Sequence, residues 1–461
     1  MRVAASLAAQ LKDRHVLVVG LGTTGSSCVR FLRRLGVRVS AVDSRAAPPA
    51  AAAIAGHFPK VPMTLGSLAP AALADADVVV VSPGVAAEEP LLQAARRRGL
   101  PVMGDIELFA RAVEGAHARI VAVTGSNGKS TVATLAALML AAAGMRVAAG
   151  ANLGTPALDL LDEAPDVYVL ELSSFQLEFT ESLRSNAAAV LNVSPDHMDR
   201  HGSLERYAAI KARIFRNAGV AVVNRDDARV AAMPAGLARP PARVVGFTLD
   251  APAPGDYGLA QADGQPWLSR GARRLMPLAR MRLRGLHNAA NGLAALALGE
   301  SLGADIEPML SSLASFTGLA HRCQWVAERD GVTWINDSKG TNVGATLAAL
   351  EGLPGPIVLL AGGLAKGGDF RPLAPVLRAK ARALVLFGRD ADAIAAAVEG
   401  AAPINRVDSL DEAVVAAKNM ARSGDTVLLS PGCASFDMFR DYADRGERFM
   451  DAVRRLDPCA A

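Results

Sequence analysis

Thr124-Gly125-Ser126-Asn127-Gly128-Lys129-Ser130-Thr131 follows the apolar run Arg119-Ile120-Val121-Ala122-Val123 and opens an alanine-rich helical pattern. A buried strand, a glycine turn and then Lys-Ser-Thr at a helix start predict a phosphate cradle. Backbone N–H groups converge on the anion, the helix dipole favours negative charge, and Lys129 adds a point charge. Ser130 is placed to offer its hydroxyl to Mg²⁺. The match to GxxxxGK[ST] is incomplete, because Val123 stands where the first glycine belongs. The bland alternative is an ordinary strand–turn–helix corner. The Lys-Ser pair directly after the second glycine weighs against it.

Working outward, 461 residues are too many for one core and suggest about three domains. The composition is 51% hydrophobic, and no apolar stretch reaches the ~18 residues of a membrane span. The start shows no signal-peptide h-region, and Cys28, Cys323, Cys433 and Cys459 form no CxxC pair. Reduced thiols in a cytoplasmic protein without membrane insertion are therefore expected. A net charge of +4, spread along the chain without interleaved aromatics, argues against a nucleic-acid partner. Only eight of the 49 basic residues are lysines, yet Lys129, Lys211, Lys339 and Lys366 all fall in motif-like segments.

Alternating strand and helix patterns predict an α/β chain of three consecutive domains. These are a Rossmann-like N-terminal domain (1–104), a P-loop ATPase-type central parallel sheet (105–318) and a Rossmann-like C-terminal domain (319–461). Near-continuous apolar runs such as 120–123, 167–172 and 187–193 fit strands buried on both faces. Residues 243–285, with Pro, Gly and short alternating segments, read as a small antiparallel insertion.

Gly20-Leu21-Gly22-Thr23-Thr24-Gly25 satisfies GxGxxG after a strand, and Asp43 ends the next one. Alone this suggests an NAD-dependent oxidoreductase. The same glycines and helix N-terminus would bind the pyrophosphate of any nucleotide, a UDP-sugar included. Ser82-Pro83-Gly84 is a second turn that could close over that ligand.

Further motifs follow in order: Asn152-Leu153-Gly154, Glu171-Leu172-Ser173-Ser174-Phe175-Gln176, and Asn192-Val193-Ser194-Pro195-Asp196-His197. Lys211, His287-Asn288-Ala289-Ala290-Asn291, His321-Arg322 and Asn336-Asp337-Ser338-Lys339-Gly340-Thr341-Asn342 come next. This set resembles the Mur ligase family, the ATP-dependent amino-acid-adding enzymes of peptidoglycan precursor synthesis. The segments 336–342, 362–370 and 430–437 resemble its D-glutamate-adding branch in particular. The resemblance covers nearly the whole chain, and the short phosphate loop is the family's own form. It implies a monomer that joins D-glutamate to UDP-N-acetylmuramoyl-L-alanine through an acyl phosphate. A relative adding L-alanine to UDP-muramate would be expected to lack Asn336-Asp337-Ser338-Lys339.

The remaining roles are carried over from that resemblance. ATP would meet Gly125, Ser126, Asn127, Gly128, Lys129, Ser130 and Thr131, with Asn288 and Asn291 on the adenine side. Arg322 and Asp337 would reach ATP on domain closure. Two Mg²⁺ ions would be held by Ser130, Glu171, His197 and Lys211, the last as a CO₂-derived carbamate. Read without the resemblance, Glu171 could be a solvated strand-end carboxylate and Lys211 a snorkelling surface lysine. The UDP substrate would meet Gly22, Thr23, Thr24, Asp43, Ser44, Ser82, Pro83, Gly84, Asn152, Ser173 and Gln176. D-glutamate would meet His197, Lys339, Thr341, Lys366, Ser435 and Phe436, although Ser435 and Phe436 also read as a helix N-cap beside a core aromatic. His201 is expected to be surface or structural.

Overall fold

Three twisted sheets carry the chain in a computed structural model that describes residues 4–283 and 285–456. Cys459 lies outside the described residues; Cys28 and Cys433 are buried and Cys323 partly so, all as free thiols. The first sheet contains β1 (His15–Val19), β2 (Arg38–Asp43), β3 (Met63–Leu65), β4 (Val78–Val81) and β5 (Val102–Gly104). Its order is β3-β2-β1-β4-β5 and every pairing is parallel.

The second sheet has nine strands. They are β6 (Arg119–Thr124), β7 (Val147–Ala151), β8 (Val167–Glu171), β9 (Ala187–Val190), β10 (Val220–Asn224), β11 (Arg243–Phe247), β12 (Tyr257–Ala262), β13 (Gln265–Arg270) and β14 (Arg273–Pro277). The order is β14-β13-β12-β11-β10-β9-β6-β8-β7. Strands β6 to β11 run parallel to their neighbours, and β12, itself parallel to β11, pairs antiparallel with β13. Of the antiparallel insertion expected over 243–285, the β12–β13 pairing is antiparallel, whereas β11 is not. Its first strand continues the parallel sheet beyond β10, and the hairpin extends the same edge. The Pro- and Gly-rich connections around 250–256 hide that continuity from a reading by periodicity.

The third sheet contains β15 (Gln324–Arg329), β16 (Val332–Asn336), β17 (Ile357–Gly362), β18 (Ala381–Phe387), β19 (Ile404–Arg406) and β20 (Thr426–Leu429), ordered β15-β16-β20-β17-β18-β19. All pairings are parallel except β15–β16. Alternate residues serve opposite cores: Ile335, Leu359, Leu384 and Leu428 pack on one face, Trp334, Val358, Val385 and Val427 on the other. Truncating one such leucine to alanine costs about 2–5 kcal/mol, so each face is an independent stability requirement.

In the first two sheets the chain builds outward on both sides of one strand, β1 and β6, and in the third it runs out to β19 and returns to the centre as β20. Ligands of open α/β sheets bind outside the carboxyl ends of strands at such switch points. The glycine turn at 20–25 leaves β1, the 124–131 loop leaves β6, and 430–437 leaves β20.

The chain divides into two compact units. The first takes residues up to Val193, Glu205–Met276 and Gly292–Leu313; the second takes Ser194–Leu204, Pro277–Asn291 and the chain from Ala314 onward. The first unit therefore holds both the N-terminal and the central sheet. No helix among the described residues is long and apolar enough to cross a membrane.

Candidate functional site

In the first unit, the β6 loop bends into helix Lys129–Ala142 through Gly128, whose φ of +83° is a left-handed conformation that L side chains rarely adopt. Lys129 Nζ donates to the carbonyls of Gly125 (2.8 Å) and Ser126 (2.7 Å), which curls the loop around its own cation. Ser130 and Thr131 are buried at the helix start. Asn192, beyond the end of β9, braces the loop from the next strand. Its Oδ1 accepts from Asn127 N at 2.8 Å, its Nδ2 donates to Asn127 O, and its backbone carbonyl accepts from Ser126 N. The sequence reading gave Asn192 no role of its own; a polar residue just beyond an apolar strand run was the available signal.

Glu171 ends β8 and is 2% exposed, so the solvated-carboxylate alternative fails. Asn152 Nδ2 donates to its Oε1 at 2.6 Å, while Oε2 is buried with no protein partner. A buried carboxylate oxygen of this kind needs a cation or water to offset its desolvation. Lys211, on helix Leu204–Ala212, is 1% exposed and is no snorkelling surface residue. Its Nζ donates to Gly125 O at 2.8 Å and lies 4.4 Å from the ring centroid of Tyr207. Lys129 and Lys211 thus converge on the same carbonyl of the phosphate loop. No three His, Cys, Asp or Glu side chains cluster as a metal site among the described residues. The predicted metal-binding residues of this unit are Ser130, Glu171 and Lys211, and of these an ammonium at Lys211 has no lone pair to offer a cation.

The N-terminal turn is braced from within. A Cβ on Gly25 would stand 1.8 Å from Gly20 O, so helix Thr23–Arg34 can approach the turn only with glycine there. Asp43 Oδ2 accepts from Leu21 N at 2.6 Å, and Arg45 grips the same carboxylate through two side-chain bonds. The Arg45 guanidinium holds the Asp43 carboxyl down at about 2. Ser82 Oγ donates to Gly20 O at 2.7 Å. Asp43 and Ser82 thus shape the turn, whereas Gly22, Thr23, Thr24, Ser44, Pro83 and Gly84 are partly or fully exposed. Ser173 and Gln176 form a reciprocal cap on helix Ser174–Leu177. Gln176 Nε2 also donates to buried Asp105 at 2.9 Å.

In the second unit, Asp337 follows β16. Its Oδ2 accepts from Ser430 Oγ at 2.7 Å and its Oδ1 from Cys323 N at 3.2 Å. Burial pushes this carboxyl up to about 6, against the lowering by its hydrogen bonds and by Arg322. Lys339 Nζ lies 3.7 Å from the ring centroid of Tyr442, which also stands edge-on to His321. Phe436 is 68% exposed and sits in a turn, so neither aromatic core nor helix cap describes it. Tyr442 is the aromatic beside Lys339, and it was not among the expected residues. Ser435 is buried, Thr341 half-buried, and Lys366 exposed with φ +50°.

Arg445 ties these loops together. It is fully buried, and it donates to Ser338 Oγ (2.9 Å), Ser338 O (2.8 Å), Cys433 O and Gly362 O. Burial lowers its pKa to about 10, which leaves it charged at neutral pH. In an arginine-rich helix start such a residue reads as solvated, so nothing in the pattern marks it. His197 also belongs to this unit, at φ +54° before the short helix Met198–His201. His201 is buried, so it is not a surface residue. On helix Leu286–Ser301, Asn288 Oδ1 accepts from Asn291 Nδ2, and Asn288 Nδ2 bonds His287.

Family models match three successive segments: a Mur ligase MurD-like N-terminal domain over residues 14–104, a Mur ligase middle domain over 123–299, and a Mur ligase glutamate ligase domain over 321–433. The chain belongs to the Mur ligase family. It is 52% identical over 446 residues to a Nitrosococcus oceani protein named UDP-N-acetylmuramoylalanine--D-glutamate ligase, covering 96% of this chain and 97% of that one. A protein of the same name from Methylobacillus flagellatus is 53% identical, covering 97% of this chain and 98% of its own. Among solved structures, the fold matches a pseudomurein peptide ligase type C from Methanothermus fervidus (TM-score 0.60, 17% identity, 96% of this chain and 100% of that one). It also matches the UDP-N-acetylmuramate-alanine ligase of Thermotoga maritima (TM-score 0.59, 19% identity, 96% and 99%). At those identities the likeness shows the fold alone, which is the expected three-domain α/β arrangement.

Proposed function

We propose that this chain is an ATP-dependent ligase that joins D-glutamate to UDP-N-acetylmuramoyl-L-alanine, acting as a monomer in the cytoplasm. The observation that carries it is the 52% identity across 96% of the chain to a ligase named for that reaction. The residue arrangement agrees with what the chemistry requires. A carboxylate and an amine do not condense in water, so the carboxylate must first become a better acyl donor. ATP is the phosphoryl donor, the acceptor's carboxylate attacks the γ-phosphorus with loss of ADP, and the amine of D-glutamate then displaces phosphate from the acyl carbon.

The first step brings two anions together. Lys129 and the N–H groups of the 125–131 loop supply fixed positive charge where that repulsion develops. Ser130 and the partnerless oxygen of Glu171 fit a hard cation, and Mg²⁺ held there would supply further charge neutralisation. CO₂ adds to the neutral form of a lysine amine, and Lys211 is the buried lysine beside the phosphate loop. As a carbamate it would offer oxygen ligands suited to a second Mg²⁺. In the second unit, Lys339, Lys366, Thr341 and Ser435 form the pocket for D-glutamate, and Lys366 meets a carboxylate. Holding amine and acyl donor in line can contribute roughly 7–11 kcal/mol in well-oriented systems.

Nothing here calls for hydride transfer, and the oxidoreductase alternative leaves Lys129, Glu171 and Lys211 without a task. The test is phosphate release from ATP and Mg²⁺ with UDP-N-acetylmuramoyl-L-alanine across a panel of amino acids, with the product identified by mass.

A further inference from the structure

Asp105 begins helix Asp105–Ala112 and is 2% exposed. Its Oδ2 accepts from Gln176 Nε2 at 2.9 Å, while its Oδ1 is buried without a protein partner. Among the described residues no cation is seen to offset it: burial raises its pKa to about 6, and the Cys28 thiol nearby is itself pushed up by burial. Such a carboxylate costs free energy that an apolar residue would not.

Anchoring does not explain it, because the neighbouring chain is held without Asp105. Gly104 N donates to Phe179 O at 3.1 Å, and Glu107 Oε2 accepts from the backbone N–H groups of Glu181 and Ser182. What Asp105 adds is directional. Gln176 Oε1 accepts from Ser173 N at 3.1 Å, and Ser173 Oγ accepts from Gln176 N in return. A carboxamide has two ends of nearly equal shape. With a carboxylate on one side and a backbone N–H on the other, only one orientation satisfies both. A flipped amide would set N–H against N–H and oxygen against oxygen. Ser173 is two residues past Glu171 and belongs to the same strand-end corner.

We propose that Asp105 is a positioning residue: it fixes the carboxamide of Gln176 and, through the reciprocal cap at Ser173, the corner that carries Glu171. Only the activity readout rests on the ligase reading.

The test is a charge-reciprocal cycle with Gln176→Glu, Asp105→Asn and the double variant. Gln176→Glu sets two carboxyl groups against each other, and the double variant restores one donor and one acceptor. Expected are a loss of about tenfold or more in kcat for Gln176→Glu at pH near 8, and recovery to within about threefold of wild type in the double variant. The melting temperature of Gln176→Glu should fall as pH rises from about 5 to 8, since the pair retains a proton that the unfolded chain releases, and the double variant should lack that slope. Equal activity and equal melting in the single and double variants overturn the proposal. Should Gln176→Glu not fold, Asp105→Leu decides: reduced kcat with unchanged KM for ATP supports it, and wild-type kcat overturns it. If wild-type protein releases no phosphate, the ligase reading fails, while the melting cycle still scores the Asp105–Gln176 coupling.

Discussion

Asn152 and Glu171 meet at the ends of adjacent parallel strands, with Asn152 Nδ2 2.6 Å from Glu171 Oε1 and the second carboxylate oxygen left buried and partnerless. The asparagine selects which oxygen remains available. Glu171→Gln should therefore fold normally yet lose about 100-fold or more in kcat, because the charge itself is removed where two anions must meet. Phosphate release measured beside a thermal melt checks this. Unchanged kcat with an intact fold would contradict it.

Lys211→Arg keeps a buried cation but cannot take up CO₂. Wild-type protein in ¹³C-labelled bicarbonate should show a protein-bound carbamate signal that the variant lacks. Lys211→Ala should lose most turnover while retaining affinity for the UDP substrate by calorimetry. Near-wild-type turnover at ambient CO₂ would remove the carbamate from the account.

The carboxyl groups of Asp105 and Asp337 are both raised to about 6, and that of Asp43 is lowered to about 2. A carboxyl raised on folding binds a proton more tightly than in the unfolded chain. Its contribution is therefore fully present below about pH 4 and is lost as pH rises through about 6. Asp43 behaves oppositely: the stability from its Arg45 pair is present above about pH 4 and lost as pH falls through about 2. Melting curves from pH 3 to 8 should show Asp337→Asn flattening the slope between pH 4 and 6. A slope identical to wild type would contradict the raised Asp337 value.

Arg445→Lys keeps the charge but cannot reach four acceptors in the planar arrangement seen at Ser338, Cys433 and Gly362. Each buried acceptor left unmet costs about 1–3 kcal/mol, so the variant should melt several degrees lower. Its KM for D-glutamate should rise while that for ATP holds. Parallel changes in both would point to general loosening instead.

Much of this was legible in the chain. Strands β6, β8 and β9 fall on the apolar runs at 120–123, 167–172 and 187–193, because a doubly covered parallel strand has few polar positions to blur it. The short strands β3 and β19 carry only three residues each, too few for a period to register. Gly25 and Lys129 stand in motifs defined by local spacing, and Glu171 was carried over from the family resemblance. Asn192, Asp105, Tyr442 and Arg445 were not found, because each acts across a distance the sequence does not display. Arg445 lies 107 positions from Ser338, and Gln176 lies 71 from Asp105. Phe436 was carried over from the resemblance, whereas Tyr442 is the aromatic that reaches Lys339 in space.

The most direct measurement of the central claim is phosphate release from ATP and Mg²⁺ with UDP-N-acetylmuramoyl-L-alanine, comparing D-glutamate with L-glutamate and L-alanine. The account predicts release that depends on D-glutamate, with a product heavier than the acceptor by one glutamyl residue. Equal or faster release with L-alanine, or release without an amide product, would contradict it.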